Sequence, residues 1–504
     1  MTLPFLRRQF LLGASSLTVG ASILARGLSA AEANTYDMII VGGGTSGLPA
    51  ATFASQRGAR VLVLEVADVV GGTLYLSTGQ MSAAGTKLQK SLGIVDTPQK
   101  HFDDVMRISR GTVDQDLVRL DVENAADTFD WLTDNGLKPL PDHPIKGFGH
   151  EFYYERRYAW GPQGGLSILD VVKPIFEAEA KKGKITLKLE TRARELLMRD
   201  GKVIGVRAED SAGKTTDYLG RNVVLASGGY QMNPALVQEL LGYPQHAAPA
   251  YPMSRGDGLQ MALAAGGYAR GKQNYLTGIG RVLASDDEPS VPLVQFNVYP
   301  ERRKPWEIYV NAHGKRWVRE DDEGIDQRER ELMKQPDLRF WIVFDQAIFD
   351  AASSGFIDWS KEQVAKAFTK EAMFKKANTI RELAVAAGVD PAGLEATIAA
   401  YNKAVATKKD PDFGREHMPL PIAKPPFYIV RQQGYNVTSC VGIGVDKSLR
   451  VTRKDGSAIA GLYASGEILG SGQLMGNATE GGMMVTPALT FGRLLGQRIV
   501  PVKA

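Results

Sequence analysis

Cysteine is almost missing: Cys440 is the single thiol among 504 residues. One thiol excludes an intrachain disulfide framework, a four-thiolate zinc site, an iron–sulfur cluster and C-x-x-C-H haem attachment. No metal-ligand set is assigned. An excess of one charge is missing too. Lysine and arginine number 60 against 56 aspartates and glutamates, a formal charge of +4. No basic block is long enough to serve as a nucleic-acid surface. Beyond residue 33 no run approaches the ~18 apolar residues that a membrane span requires. Apolar residues at 44% and charged residues at 23% exclude disorder and a fibrous repeat. At roughly 150 residues per domain the length allows about three domains. What is abundant is glycine, 54 residues, above its ordinary ~7% share. Without a collagen period this excess predicts tight turns and close approach of backbone to a ligand.

Residues 1–33 read as an export signal. Arg7-Arg8 precede Gln9-Phe10-Leu11-Leu12, and a modestly apolar run reaches Leu24. Ala31-Glu32-Ala33 supplies small residues at a cleavage site, so the mature chain is expected to start near Asn34. The paired arginines resemble the R-R-x-F-L of twin-arginine export. An uncleaved anchor helix is the alternative, and Gly13, Ser15, Ser16, Thr18 and Gly20 weaken it. The expected location is periplasmic or otherwise outside the cytoplasm.

Tyr36–Val41 is a short β-forming run, followed at once by Gly42-Gly43-Gly44-Thr45-Ser46-Gly47. Leu48–Arg57 is alanine-rich and helix-compatible, and Val61–Glu65 is a second strand ending in an acid. This is strand, G-x-G-x-x-G, helix, strand, carboxylate. Gly42 permits the turn, Gly44 lets backbone approach a pyrophosphate, and Gly47 lets the helix pack on the strand. The helix start offers N–H groups and a favourable dipole to phosphate. Glu65 accepts hydrogen bonds from ribose hydroxyls and would repel the extra phosphate of NADP. Gly71-Gly72-Thr73 and Gly79–Ala84 form a second small-residue cluster, unnecessary for NAD but suited to a flavin. Arg192-Ala193 and Val223–Gly229 are expected as returning strands of the same sheet, with Gly461–Glu467 a late strand. Thr486 is expected as N-cap and Pro487 as first residue of a closing helix to about Arg498. No second fingerprint appears, so FAD is expected without a separate NAD(P)H domain.

These segments resemble the FAD-dependent family containing fumarate reductase flavoproteins and 3-ketosteroid 1-dehydrogenases. The motifs are Val41–Gly47, Gly256-Asp257-Gly258, Val310–Trp317, Gly461–Glu467 and Thr486–Arg493. The resemblance implies an α/β fold: a Rossmann-like FAD-binding domain with an inserted α+β capping domain. The first is expected over 34–275 and 425–504, the second over 276–424. Trp306–Val310 and Phe340–Phe344 read as cap strands and Lys361–Lys409 as helical. FAD is expected to touch Gly42, Gly44, Thr45, Ser46, Gly47, Glu65, Gly72, Thr73, Leu74, Gly79, Gln80 and Met81. It is further expected at Ala193, Ala226, Ser227, Gly228, Asp257, Gly466, Glu467, Val485 and Thr486. No histidine falls between Glu65 and Gly85, where succinate dehydrogenases attach FAD, so noncovalent binding is expected.

The departures matter. The arginine that clamps a substrate carboxylate in fumarate reductases falls on Glu480 here, and their H-T-M-G-G histidine on about Thr438. Thr438–Gly442 is more similar to the T-C-G-G of ketosteroid dehydrogenases. The position of the fumarate reductase proton-donating arginine, a tyrosine in the ketosteroid branch, falls near Gly324. The late ketosteroid tyrosine falls near Asn477-Ala478. The acid–base group must therefore stand elsewhere. Tyr154 and Tyr158 are the expected candidates, activated by Arg156 or Arg157, with a surface aromatic patch as the alternative. Arg328 is a third candidate, against a charged helix face over Asp326–Glu331. His143 and His150 are expected as exposed loop residues and His313 as a turn residue. Cys440 is expected to pack near the flavin, and Arg316 with Glu320 to form a structural pair.

The function implied is dehydrogenation of a ketone-activated CH–CH pair, or reduction of the matching enone, by hydride exchange with flavin N5 and a protein acid or base. The alternatives are an α,β-unsaturated carboxylate reductase resembling fumarate or urocanate reductases, a flavin-carrying electron-transfer subunit, and a flavin oxidase. The expected partners are a small-molecule substrate and a quinone, cytochrome or other electron carrier.

Overall fold

The computed structural model of the chain describes residues 35–246, 250–322 and 324–499. The expected export signal lies outside these described residues. Among them no helix is long and apolar enough to cross a membrane.

The strands Met38–Val41 and Val61–Leu64 are apolar at every position and buried on both faces, as parallel sheets covered on both sides require. They pair in parallel, Ile40 opposite Val63. Val223–Leu225 adds on the other side of Met38–Val41, followed by Ala458–Ala464, while Ile185–Lys188 completes the far edge. Arg450–Thr452 closes the near edge antiparallel to Ala458–Ala464. Helix Gly47–Gln56 follows the first strand and meets the closing helix Val485–Arg498. A Cβ at Gly492 would stand 2.2 Å from the Ser46 carbonyl oxygen, and one at Gly496 2.5 Å from that of Ala50. Glycine at these two positions is what lets the helices pack backbone to backbone.

Arg192-Ala193 does not rejoin this sheet. It belongs to Thr191–Arg199, which pairs antiparallel with Lys202–Asp210, itself paired with Thr215–Leu219. The turn Asp200-Gly201 has positive φ at both residues, the two-residue hairpin that Asp-Gly favours. The closing helix is also capped differently from expectation. It starts at Val485 after Met484, and the Thr486 hydroxyl instead accepts the Ser82 N–H at 2.9 Å.

A second sheet runs Pro292–Gln295, Gly278–Leu283, Phe427–Tyr435, Arg339–Asp345, Ile308–Val310, with Phe374–Ala377 also paired to Phe427–Tyr435. The expected return to the flavin domain at 425 therefore falls too early, because Phe427–Tyr435 is the centre of this second sheet. The helical expectation over 361–409 resolves into Lys361–Lys370, Ile380–Ala387 and Pro391–Thr407. The lysine-bearing strand Phe374–Ala377 breaks it. Phe344, Phe368 and Tyr428 form the aromatic centre, with Phe368 and Tyr428 centroids 4.7 Å apart. Arg316 and Glu320 do pair, at 2.6 Å, and Arg316 also reaches Asp410 at 3.0 Å.

Asp121, on helix Gln115–Val122, is fully buried beneath the closing helix. Burial pushes its carboxyl up to about 8, opposed only by the Thr490 hydroxyl. A carboxyl raised above its unfolded value of ~3.9 binds its proton more tightly when folded. Folding stability then falls as pH rises from about 4 through about 8. Asp121→Asn removes that dependence, so its thermal midpoint relative to wild type is expected to be higher by several degrees at pH 9 than at pH 5. Parallel melting curves at the two pH values check it.

Candidate active site

The loop after the first strand turns where only glycine fits. Gly42 has φ +105°, and a Cβ there would stand 2.3 Å from the Ala226 carbonyl oxygen. A Cβ at Gly47 would stand 1.9 Å from the Gly42 carbonyl oxygen, so the first helix rests directly on the turn. Glu65 ends the second strand and accepts the Gly43 N–H at 2.6 Å and the Ala67 N–H at 2.9 Å. Burial raises its carboxyl and these N–H bonds oppose the rise. Glu467 accepts the Ser439 N–H at 2.9 Å and the Ser439 hydroxyl at 3.1 Å. Arg192 and Asp257 pair at 2.6 Å.

Gly42, Glu65, Arg192, Ala226, Asp257 and Glu467 border one cavity of about 790 Å³. Gly42, Gly44, Thr45, Ser46, Glu65, Gly72, Thr73 and Gln80 line it, as do Ala193, Ala226, Ser227, Gly228, Asp257, Gly466, Glu467 and Val485. Gly47, Leu74, Gly79, Met81 and Thr486 are not on this wall; Gly47 and Gly79 allow close packing behind it. The Ser227 hydroxyl is buried, lines the cavity and has no protein partner. With Gly72 and Gly466 at positive φ on the wall, these residues fit a dinucleotide whose phosphates and ribose supply the missing partners.

The other half of the cavity is framed by Phe148, His150, Tyr158, Leu276, Arg281, Tyr299, Glu329, Tyr435 and Glu480. Only one of the expected acid–base candidates is among them. Tyr154 is 68% exposed, with the Arg107 guanidinium 4.2 Å from its ring centroid, outside the cavity. Arg157 does not serve Tyr158: it is buried between Asp96, at 2.8 Å, and Asp104, at 2.7 Å, with its guanidinium 5.1 Å from the Tyr153 ring centroid. Arg328 is fully buried and donates to the carbonyls of Glu320, at 3.1 Å, and Asp322, at 3.3 Å. Long helical side chains lean toward their own N-terminus, and this lean takes Arg328 away from the wall. Tyr158 lines the cavity on a short strand paired to Met81–Ser82. Burial pushes its phenol upward, so it keeps its proton and is able to donate it in a hydrogen bond.

The sequence reading missed a group that meets at the wall of the same cavity. His150 Nδ1 lies 3.3 Å from Asp326 Oδ1 and 3.9 Å from Glu329 Oε2. Burial pushes Glu329 up to about 8, with His150 opposing. Burial lowers His150, but Glu329 and Asp326 outweigh it and leave the imidazole raised. Asp326 and Glu329 share a face of helix Asp326–Leu332 by their spacing; that spacing was the available signal. His143 is buried rather than exposed, its ring 4.1 Å from that of Trp160. His313 lies in a turn where its N–H reaches Asn311 at 3.0 Å. Cys440 is buried and its thiol is pushed up to about 12 by burial, which suits packing and not nucleophilic attack.

Residues 37–483 match the FAD binding domain family. A probable fumarate reductase of Shewanella frigidimarina (strain NCIMB 400) is 29% identical over 483 residues, 94% of this chain and 76% of that protein. The open conformation of a flavocytochrome c3 fumarate reductase is similar with TM-score 0.69 and 25% identity, over 95% of this chain and 80% of that one. The 3-ketosteroid Δ1-dehydrogenase of Sterolibacterium denitrificans gives TM-score 0.72 at 21% identity, over 92% of this chain and 99% of that one. At that identity the likeness is of fold. With the fingerprint, the second-strand carboxylate and the orphaned serine on one wall, the chain belongs to the FAD binding domain family and is an FAD-dependent oxidoreductase.

Proposed function

We propose that the enzyme dehydrogenates a ketone-activated CH–CH pair, or reduces the matching enone. Glu329 takes or returns the proton, and the Tyr158 phenol donates to the ketone oxygen. When bound, FAD supplies the two-electron chemistry. It is held by the Gly42–Gly47 turn, Glu65, Ser227 and the start of the closing helix. Glu329 is suited to its part because burial holds it near neutral pH, where either proton transfer is efficient. His150 positions it and Asp326 holds His150. Arg281 and Tyr435 of the second sheet, with Tyr299 from the loop after Pro292–Gln295, close the cavity over the substrate and exclude water. The enzyme acts outside the cytoplasm, on the strength of its Arg7-Arg8 address, and exchanges electrons with a separate carrier such as a quinone or cytochrome.

The observation that carries this reading is Glu480. Its carboxyl is buried on the cavity wall with no hydrogen-bond partner, and it would repel a dicarboxylate seated there. One observation favours reduction of an unsaturated carboxylate instead: Arg281 lines the cavity with its Nε unpartnered. The test is anaerobic. Saturated cyclic ketones or steroids are expected to bleach the oxidised flavin, and enones to reoxidise the reduced one. Reoxidation by unsaturated acids alone overturns the reading.

A further inference from the structure

Glu480 carries more than the loss of a clamp. It is 2% exposed, lines the cavity, and neither carboxylate oxygen has a protein partner. Its backbone is fixed: the Tyr153 hydroxyl donates to the Gly481 carbonyl at 2.6 Å, and Gly482 is pressed against Ser82 at positive φ. A second carboxylate oxygen, Glu329 Oε2, is also buried and on the same wall, with no hydrogen-bond partner and only His150 Nδ1 at 3.9 Å. None of the nearby arginines hydrogen-bonds Glu480. Arg107 pairs with Asp104 and Glu151 and partly offsets the rise at Glu480, Arg157 pairs with Asp96 and Asp104, and Arg330 reaches the Asn477 carbonyl at 3.4 Å with its Nε left unpartnered.

A buried carboxyl with no partner is costly. When such a group faces a ligand cavity, the ligand that completes it is strongly preferred over one that leaves it unpaired. We propose that the substrate carries a cationic group, an ammonium or alkylated amine, and that Glu480 pairs with it inside the cavity. This deepens the ketone reading, since it specifies the charge of the molecule whose activated carbons are oxidised. Burial holds Glu480 well above the ordinary carboxylate range, with Asp326 adding to the rise. An arriving ammonium reverses that balance by stabilising the ionised form.

The test uses probes that carry neither ketone nor alkene, so its outcome is independent of the ketone reading. Oxidised holoenzyme is titrated at pH 7 with benzylamine, benzyl alcohol and benzoate, and binding is read from the flavin absorbance. Benzylamine is expected to bind at least ~10-fold more tightly than benzyl alcohol, with benzoate weakest. Glu480→Gln is expected to bring the amine-to-alcohol ratio within about twofold, and Glu480→Arg to favour benzoate. A wild-type enzyme that prefers benzoate, or that ranks the amine no better than the alcohol, overturns the proposal without any variant. Persistence of the ratio in folded Glu480→Gln overturns it as well. Failure of every ketone and enone in the redox test, with the amine preference intact, would remove the ketone reading and leave the cation site standing.

Discussion

Gly47→Ala is expected to leave purification colourless. The added Cβ would stand 1.9 Å from the Gly42 carbonyl oxygen and 3.3 Å from Ile40. Neither neighbour is the free end of a flexible side chain that moves cheaply: one is backbone and the other is packed in the central sheet. Relief therefore requires the helix Gly47–Gln56 to lift from the first strand. That helix start supplies the N–H groups a diphosphate needs, so the displacement is felt in cofactor affinity before it is felt in the fold. The expected loss in FAD affinity is about 100-fold or more, ~2.8 kcal/mol. The ratio of flavin to protein absorbance in purified material measures it, with FAD titration of the apo-protein and a far-UV spectrum to verify folding. Stoichiometric yellow Gly47→Ala would mean that the cofactor phosphates are held elsewhere.

This prediction was accessible from sequence because everything it needs is local. Gly42, Gly44, Gly47 and Glu65 fall within 24 residues of the first strand and helix, and their spacing alone sets the turn, the helix start and the carboxylate. The substrate half was illegible for the opposite reason. His150 and Asp326 meet across 176 positions, one from a loop and one from a helix that reads as an ordinary charged surface. Periodicity has no access to such a meeting. The choice between Tyr154 and Tyr158 turned on two residues of strand pairing with Met81–Ser82. That pairing turns Tyr158 inward and leaves Tyr154 in solvent. Phe427–Tyr435 reads equally well as a strand of either sheet, since only its partners distinguish the two. Arg157 was legible as a charge but not as one already neutralised by Asp96 and Asp104.

Glu329→Gln is expected to slow flavin reduction by the saturated substrate by about 10²–10⁴-fold, with flavin content unchanged. The amide retains size and polarity but cannot exchange the proton, so the loss falls on the chemical step and not on ligand affinity. The pH dependence separates this from a packing defect. With Glu329 held at about 8, dehydrogenation needs its ionised form and is expected to accelerate as pH rises through about 8, then level. Enone reduction needs the protonated form and slows over the same interval. Glu329→Gln abolishes both limbs. His150 sets where they fall: its positive charge opposes the rise in Glu329. His150→Asn therefore moves the limb to higher pH while keeping its shape. Asp326 acts in the opposite sense, since its charge raises Glu329, yet it also raises the imidazole and so favours its charged form. Asp326→Asn removes both influences, so its limb shifts less than that of His150→Asn. Stopped-flow traces of flavin bleaching from pH 6 to 10 give all four profiles. A wild-type rate flat across that range would assign the proton to another group on the cavity wall.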